Sequence, residues 1–442
     1  MAIFAAVLSA VVWGGGQLYN KQRIKALFFF LIQCIFIGIE LATGSFAVIT
    51  GQAEAHFRNS GFFTSGLWGI ITLGEIYRES AATLVFDHSS MLMLTGLVSI
   101  VILVCFLIFY IWNIRDAYIT RKNLQEGYEE SSLAYVKRVA DKSFAYIAIS
   151  PGLILLSLFS FVPIFFAFLV AFTNFNLNNL PPRNLIQWVG FQTFRDVLNI
   201  PVWNQTLIGI FIWTTIWAFA ATFSGFVVGF FQALLLSSKL VKFPKVWRGL
   251  FILPWAIPGL LSMMLFRNFF VTNGVVNNLL MHFGLIDMPI SFFGSVGWSR
   301  GILIVVNVWL AFPYFMALVS GVMSSLNPET YEAAAIDGAT AVQQMRYLTI
   351  PSIIAAVAPL LIMSVASNFN NFGMIYFITG GGPANVNYIM AGSTDILITW
   401  VFRLTVDHRM YNFASVMSVF IFVIVASVSG YNMWRTRAFR ED

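Results

Sequence analysis

Eight long apolar stretches recur along this 442-residue chain and constrain its fold more than any other feature. Hydrophobic residues make up 59% of the sequence and charged residues only 10%, a balance typical of polytopic membrane proteins. A helix of about 20 apolar residues is long enough to cross the hydrocarbon core of a bilayer. The stretches lie at about 26–44, 90–113, 144–172, 205–236, 249–266, 302–322, 352–378 and 412–434. The sequence therefore predicts an all-α polytopic membrane protein with about eight transmembrane helices.

The segments outside these spans predict the domain organisation. Residues 3–13 are apolar but too short to span, so we expect a re-entrant or interfacial segment there. Residues 45–89 predict a polar loop, and residues 114–142 predict a solvated, charged connector without chemistry of its own. We therefore divide the chain into an N-terminal region, 1–143, and a core of six helices, 144–442.

The distribution of basic residues predicts the orientation. If the connector 114–142 is cytoplasmic, then 17 of the 25 Lys and Arg residues lie on the cytoplasmic side and 8 lie outside. Cytoplasmic loops of membrane proteins carry such an excess of Lys and Arg. We therefore expect both termini in the cytoplasm, and we attribute the net charge of +6 to orientation and not to nucleic-acid binding.

One polar, Ala-rich loop, 323–351, interrupts the apolar pattern and falls on the cytoplasmic side. Glu332, Ala333 and Ala334 are good helix formers, and Gly338 follows where a helix needs a left-handed residue to end. Pro351 suits the first turn of the next helix, where its missing N–H costs nothing. The loop predicts a helix, a turn, a second short helix and then a new span. Such an element favours docking of a partner, although a helical surface loop without a partner is the alternative.

The inventory of reactive groups is mostly negative. The sequence has no phosphate-binding G-x-x-x-x-G-K-[ST] loop, so we do not expect this chain to hydrolyse ATP by that route. The four histidines form no pair at metal-ligand spacing, and no metal site or cofactor is predicted. The predicted spans contain almost no ionisable groups at mid-depth, which makes an ion-coupled carrier the weaker interpretation.

Neutral polar groups do occur within the predicted spans. One helical face carries Asn307, Leu310, Ala311 and Tyr314, and the next span carries Asn368 and Asn371. Carboxamides and a phenol both donate and accept hydrogen bonds without charge, as binding of a sugar requires. Trp213, Trp217 and Trp309 could present apolar faces to sugar rings. The alternative for each Asn is a hydrogen bond that holds two helices together.

The loop also resembles the signature cytoplasmic loop of ATP-binding-cassette (ABC) importer permeases. The resemblance rests on Glu-Ala-Ala at 332–334, Gly338, and Leu348-Thr-Ile-Pro351, where the family pattern usually ends Ile-x-Leu-Pro. In that family the loop is a coupling helix that sits in a groove of the ATPase subunit. The resemblance implies coupling roles for Glu332, Ala333, Ala334, Asp337, Gly338 and Pro351.

From residue 144 to 440 the chain resembles the larger permease subunit of maltose/maltodextrin ABC importers. The segments that carry this are 304–314, 331–351, Asn368-Phe-Asn-Asn-Phe372, Gly380-Gly-Gly-Pro383 and Ala391–Trp400. The family's sugar contacts align with Asn307, Leu310, Ala311, Tyr314, Asn368 and Asn371. Ala311 replaces a family glycine, and Ser367 replaces an aromatic residue. A loop at 173–204 stands where some members have a large extracytoplasmic insert.

The resemblance implies the core of a type I importer permease in a bacterial cell membrane. It implies a second permease subunit, two ATPase subunits that hold ATP and Mg, and an extracytoplasmic sugar-binding protein. The substrate expected from it is maltose or maltodextrin, with another oligosaccharide such as a galactooligosaccharide as the alternative. An ion-coupled sugar carrier and a structural membrane protein are the competing classes. A structural protein would support no solute flux.

Overall fold

The computed structural model of the chain describes residues 1–44, 60–76, 78, 86–128, 132–238 and 241–435. These residues form helices and no β-strand; their only strand-like pairings are two isolated bridges, Thr173–Trp188 and Ala384–Gly392. By packing, the chain divides into two compact units, 1–191 and 192–442. The all-α prediction is confirmed, whereas the functional division after residue 143 stays a prediction.

Seven helical segments of the described residues are long and apolar enough to cross a membrane. They are Arg23–Thr43, Ser89–Gln125, Phe144–Val170, Pro201–Ser237, Gly259–His282, Val296–Ser325 and Ala341–Phe369. Each overlaps a predicted span. The eighth predicted span falls on the helix Tyr411–Arg435, whose described apolar part, Tyr411–Ser427, is shorter than the others.

The described residues of the first unit form seven α-helices. They are α1 (Ala2–Val11), α2 (Gly15–Tyr19), α3 (Arg23–Thr43), α4 (Phe62–Thr72), α5 (Ser89–Gln125), α6 (Ser132–Leu156) and α7 (Val162–Val170). A π-helical turn, Ser157–Phe161, joins α6 to α7. It precedes Pro163, which has no N–H for the carbonyl group four residues earlier, so the wider turn accommodates the missing hydrogen bond.

The prediction of a polar loop at 45–89 is wrong where the structure describes that segment, because it contains the apolar helix α4. The Glu40 carboxylate accepts hydrogen bonds from the N–H groups of Phe63 and Thr64 at 2.8 and 3.3 Å, which satisfies the first turn of α4. Gly66 lets α4 approach α5, since a Cβ there would lie 2.2 Å from the Ser99 hydroxyl. Residues 45–59, 77 and 79–85 of the predicted loop lie outside the described part.

The predicted solvated connector, 114–142, also differs from the structure. Helix α5 continues into this segment as far as Gln125, and Asp116 is buried there with 7% of its surface exposed. Its carboxylate lies 3.3 Å from the buried Lys25 ammonium group of α3. A buried charge requires an opposite charge, so Asp116 and Lys25 tie the two helices together.

In the second unit, the part of the chain that the structure describes forms twelve α-helices. They are α8 (Gln192–Asn199), α9 (Pro201–Ser237), α10 (Pro244–Ala256), α11 (Gly259–Phe270), α12 (Val275–His282), α13 (Val296–Ser325), α14 (Pro328–Ile336), α15 (Ala341–Gln344), α16 (Ile350–Phe369), α17 (Phe372–Ile378), α18 (Leu397–Val406) and α19 (Tyr411–Arg435).

Helix α9 is central to this unit because α13 and α16 both pack along it. Small residues allow the close crossing with α13: a Cβ on Gly229 would lie 2.7 Å from the Phe312 carbonyl oxygen. One core cluster surrounds the fully buried Trp217 and Leu303. Such small-residue crossings are typical of helix pairs within membranes.

Two predicted spans are broken in the structure. The span at 249–266 is interrupted at Ile257 and Pro258, between α10 and α11. The span at 352–378 ends at Phe369 and restarts as α17. By contrast, Pro313 and Pro359 lie inside the continuous helices α13 and α16.

Candidate functional site

The first candidate site is the coupling loop, residues 323–351, and it begins with a well-capped helix. The Asn327 side chain accepts a hydrogen bond from the Glu329 N–H at 3.0 Å, and Pro328 occupies the first helical position of α14. Both features are typical of helix starts because the first N–H groups have no partner within the helix. They fix the direction in which α14 leaves α13.

Gly338 ends α14 as the sequence predicts. Its φ is +81°, in the left-handed region. The Ala339 N–H donates to the Ala334 carbonyl at 2.9 Å, and the Gly338 N–H donates to the Ala335 carbonyl at 3.1 Å. This pair of hydrogen bonds is the Schellman motif, and it satisfies carbonyl groups that the helix end leaves free.

The second short helix, α15, does not stop before the next span. The Thr340 hydroxyl accepts from the Gln343 N–H at 3.3 Å, and the Gln343 side chain accepts from the Thr340 N–H at 2.7 Å. The chain then continues through a π-helical turn, Met345–Thr349, into α16. Pro351 lies in the first turn of α16, as predicted, and its missing N–H accounts for the wider turn before it.

Side-chain contacts join α14 to the segment that leads into α16, and they hold the loop in one conformation. The hydroxyl groups of Tyr331 and Thr349 lie 2.9 Å apart, and Thr349 is buried. The Gln344 carboxamide lies 3.5 Å from the carbonyl oxygens of both Tyr331 and Ala339. Helix α14 is therefore fastened to the start of α16 and does not hang freely from α13.

The outer surface of the loop is apolar and exposed. Ile336, Val342 and Tyr347 are 86%, 76% and 67% exposed. Glu332, Ala333 and Asp337 are exposed too, whereas Ala334 is half-buried. An exposed apolar surface with a polar rim is typical of a protein interaction site.

The second candidate site is a polar cluster where α13 and α16 meet α9. The Asn307 carboxamide donates to the Ala221 carbonyl at 2.9 Å, and the Asn368 carboxamide donates to the Thr222 hydroxyl at 2.9 Å. Since Ala221 and Thr222 are neighbours on α9, the structure brings the two asparagines to one turn of that helix. The Asn307 Oδ1 atom accepts no hydrogen bond from a described residue.

Asn371 belongs to the same cluster but not to the same helix as Asn368. Its amide nitrogen lies 3.3 Å from the Asn368 Oδ1 atom, and its own oxygen accepts from the Met374 N–H at 3.3 Å. That second bond caps α17. The prediction of one continuous span through both asparagines is therefore wrong, because Asn371 starts a new helix.

Leu310, Ala311 and Tyr314 follow Asn307 along α13. Leu310 is half-buried against the core, and a Cβ on Gly225 would lie 3.0 Å from the Ala311 methyl group. The methyl group thus faces α9. The Tyr314 ring centroid lies 6.2 Å from that of Trp255, and its hydroxyl group makes no hydrogen bond with a described residue. Tyr314 therefore has a free polar group, whereas Asn307 and Asn368 use theirs between helices.

Two tryptophans cannot present faces to a sugar, contrary to the sequence prediction. Trp213 and Trp217 are 4% and 0% exposed. Their indole N–H groups donate to the carbonyl oxygens of Thr394 and Asn368, both at 3.1 Å. Buried indoles need such partners. Only Trp309, which is 43% exposed, keeps an available ring among the three.

Sequence reasoning missed an ion pair between Asp395, which is buried in the loop between α17 and α18, and Arg403 of α18. The Arg403 Nε atom lies 3.5 Å from the Asp395 carboxylate, which also accepts from the Gly392 N–H at 2.7 Å. Burial raises the pKa of Asp395, and the opposing effect of Arg403 is smaller. The signal was available, because Asp395 lies within Ala391–Trp400, one of the segments that carried the family resemblance.

Together these features define a multi-pass helical membrane protein with a structured loop at 323–351 and a neutral polar cluster. Residues 225–435 match the family described as binding-protein-dependent transport system inner membrane component. The chain is 34% identical to the galactooligosaccharides transport system permease protein GanP of Bacillus subtilis (strain 168), over 99% of this chain and 98% of that protein. It is 33% identical to the maltodextrin transport system permease protein MdxF of the same organism, over 99% of this chain and 96% of that protein.

The chain belongs to this family, the membrane-spanning permease subunits of ABC importers. Among solved structures, it is similar in fold to a chain of a bacterial ABC transporter that imports the acidic polysaccharide alginate. That match has a TM-score of 0.55 and 23% identity and covers 68% of this chain and 99% of the other.

Proposed function

We propose that this chain is a permease subunit of an ATP-driven oligosaccharide importer in the bacterial cell membrane. It pairs with a second permease, two ATPase subunits dock on the pair, and an extracytoplasmic binding protein delivers the sugar. ATP is hydrolysed by the ATPase subunits and not by this chain. The names of GanP and MdxF, full-length relatives of this chain, support the substrate class.

The coupling loop is the observation that carries this proposal. Ile336, Val342 and Tyr347 of the loop form an exposed apolar surface. Binding of an ATPase subunit over this surface would remove it from water, which is favourable. The hydrogen bond between the hydroxyl groups of Tyr331 and Thr349 connects that surface to α16. Movement of a docked ATPase would therefore reach α16 directly, and the end of α16 carries Asn368. The loop, both termini and 17 of the 25 basic residues then share the cytoplasmic side.

For the sugar path we propose Asn307, Leu310, Ala311, Tyr314, Asn368 and Asn371. The described polar groups in this cluster are uncharged, which suits a hydroxyl-rich neutral ligand. The Asn307 and Asn368 carboxamides each donate one hydrogen bond to α9. When α16 moves, their other polar atoms become available to the sugar. Tyr314 needs no such change, because its hydroxyl group forms no hydrogen bond with any described residue.

Maltodextrin is the substrate we propose, and galactooligosaccharide is a second candidate because GanP is as similar to this chain as MdxF is. The test is uptake of labelled maltotriose and galactotriose by proteoliposomes that contain the complete importer and its binding protein. An importer with ATPase subunits that cannot hydrolyse ATP is the control. ATP-dependent uptake of either sugar supports the function and names the substrate, whereas uptake driven by an ion gradient without ATP would overturn it.

A further inference from the structure

We propose that a groove in the first unit binds one anionic phospholipid. The groove has a volume of about 370 Å³ and lies between the α1–α2 turn and the start of α3. Six apolar residues line it: Val12, Trp13, Leu18, Ala26, Leu27 and Phe30. Arg23 is the charged residue of the lining. This inference is independent of the transported sugar.

The floor of the groove is closed by a tight contact between backbones. Gly14 has a φ of +84°, and a Cβ on it would lie 2.2 Å from the Ala26 carbonyl oxygen. The turn therefore lies directly against α3, with Trp13 only 8% exposed. The rim is different, since Leu18 and Leu27 are 60% and 58% exposed. The result is an apolar trough that is open along one side, a shape that suits an acyl chain.

The charges at one end of the groove fit a phosphodiester headgroup. Lys21 and Arg23 are exposed, and no described residue forms an ion pair with either of them. Lys25 is not available, because Asp116 neutralises it in the interior. Arg23, which lines the trough, and Lys21, two positions before it in the chain, thus have no ion-pair partner among the described residues. Arg binds phosphate oxygens with two parallel hydrogen bonds, and basic pockets at the ends of membrane helices favour anionic lipids.

The position of the groove also favours a lipid over a soluble anion. Arg23 is the first residue of α3, one of the candidate membrane helices, so the cations lie at a membrane edge and the trough continues along the span. Ile24, Leu27 and Phe28 extend the exposed apolar surface of α3 next to the groove. A free phosphate would satisfy Arg23 but leave this surface uncovered, and a neutral lipid would leave the cations without a partner.

Native mass spectrometry of the purified importer tests this inference. The probes are palmitoyl-oleoyl phosphatidylglycerol, the matching phosphatidylcholine, and glycerophosphoglycerol, which is the headgroup without acyl chains. We expect retention of one phosphatidylglycerol at concentrations where the other two probes do not bind. Arg23→Gln should weaken that binding about five-fold, the effect of losing one basic contact with an anionic lipid.

Arg115→Gln is the matched control, because Arg115 is equally exposed, has no described partner and lies outside the groove. Leu18→Trp fills part of the trough without touching the charge, and it should also weaken retention; Leu107→Trp, at an exposed position on α5, should not. Equal retention by wild type, Arg23→Gln and Leu18→Trp would overturn the proposal. Tight binding of glycerophosphoglycerol would also overturn it.

Discussion

The hydroxyl groups of Tyr331 and Thr349 are hydrogen-bonded at 2.9 Å, although 18 positions separate the two residues in the sequence. The bond closes the coupling loop at its base. Tyr331 belongs to α14, which presents the exposed surface, and Thr349 is the last residue before α16. The loop is therefore one folded unit with α16, and this relationship gives the first prediction.

Tyr331→Phe removes the hydrogen bond and keeps the ring. We expect the loop to lose about 1 kcal/mol of stability, as is typical for one hydrogen bond. Sugar-stimulated ATP hydrolysis by the reconstituted importer should fall several-fold, while the amount of assembled complex stays near that of wild type. Tyr146→Phe is the control, because Tyr146 lies on α6 outside the coupling loop, is 76% exposed, and its hydroxyl group has no described hydrogen bond. Equal activity of the two variants would contradict the prediction.

Gly338→Val should disrupt the loop through backbone conformation alone. No atom lies within 4 Å of the position that a Cβ on Gly338 would occupy, so no neighbour opposes a side chain. The left-handed φ of +81° costs a non-glycine residue about 1–2 kcal/mol, and more if it is β-branched. We expect weaker retention of the ATPase subunits on affinity purification and loss of uptake.

Gly338→Asn provides the matched comparison, since Asn tolerates the left-handed region. It should retain most of the uptake activity that Gly338→Val loses. If both variants lose activity equally, size and not backbone conformation is the cause. If Gly338→Val keeps both the ATPase subunits and transport, the coupling role is wrong.

Tyr314→Phe separates sugar binding from helix packing. The Tyr314 hydroxyl group has no described partner, so its loss should leave the yield of complex unchanged. A lost hydrogen bond to the sugar, worth about 1 kcal/mol, should reduce uptake about five-fold or alter the preference between oligosaccharides. Tyr376→Phe, a change of the same kind outside the proposed site, is the control. Unchanged uptake and preference would remove Tyr314 from the site.

Asn307→Ala should behave differently. The Asn307 carboxamide joins α13 to α9 through the Ala221 carbonyl, and removing a buried hydrogen-bond partner costs about 1–3 kcal/mol. We expect less assembled complex, measured by size-exclusion chromatography, together with reduced uptake per complex. A lower yield with unaltered uptake per complex would leave Asn307 with a packing role only.

The Asp395–Arg403 pair predicts a dependence of stability on pH. Because burial raises the pKa of Asp395 above its value in the unfolded chain, the folded chain binds this proton more readily. The stabilising contribution is therefore full below the unfolded pKa and is lost as the pH rises through the raised folded pKa. Asp395→Asn cannot titrate.

Melting temperatures of the wild type and Asp395→Asn, measured in detergent from pH 4 upwards, isolate this effect. The wild type should gain relative to the variant as the pH falls. A difference between the two that does not change with pH would show that Asp395 does not titrate in this range.

Single cysteines at Glu126, Gln343 and Asn178 test the orientation, in a background with Cys34→Ala and Cys105→Ala. An impermeant thiol reagent added to intact cells should label the cysteine at position 178 and spare the other two. Labelling at position 343 in cells and in lysed cells distinguishes protection by the membrane from burial. Labelling of Gln343→Cys from outside the cell would place the coupling loop on the wrong side.

The sequence predicted those features of the fold that depend on local chemistry. Gly338 ends α14 because its backbone conformation is intrinsic to glycine, and long apolar stretches become helices wherever they lie. The segment 62–72 shows the limit: its apolar run is shorter than a span, and only the contact with α5 and the Glu40 carboxylate makes it a helix in the folded chain.

The polar residues of the candidate site could be picked out from the sequence, but their hydrogen-bond partners could not. Asn307 and Asn368 stood out as polar residues within spans, and both alternatives for them were visible in the sequence. The choice of Ala221 and Thr222 as their partners depends on how α13 and α16 cross α9, which no local pattern reports. The sequence likewise did not show that Trp213 and Trp217 are buried, so that their ring faces are not available to a sugar.

The continuity of the helical segment Ala341–Phe369 has a mechanical consequence. Its 29 residues correspond to a rod of about 43 Å, at about 1.5 Å per residue. Rotating such a rod by one degree about its cytoplasmic end displaces the other end by about 0.8 Å. A rotation of four degrees would then separate the Asn368 carboxamide from the Thr222 hydroxyl by more than a hydrogen bond can span, so a small tilt at the loop is enough to release the polar groups of the cluster.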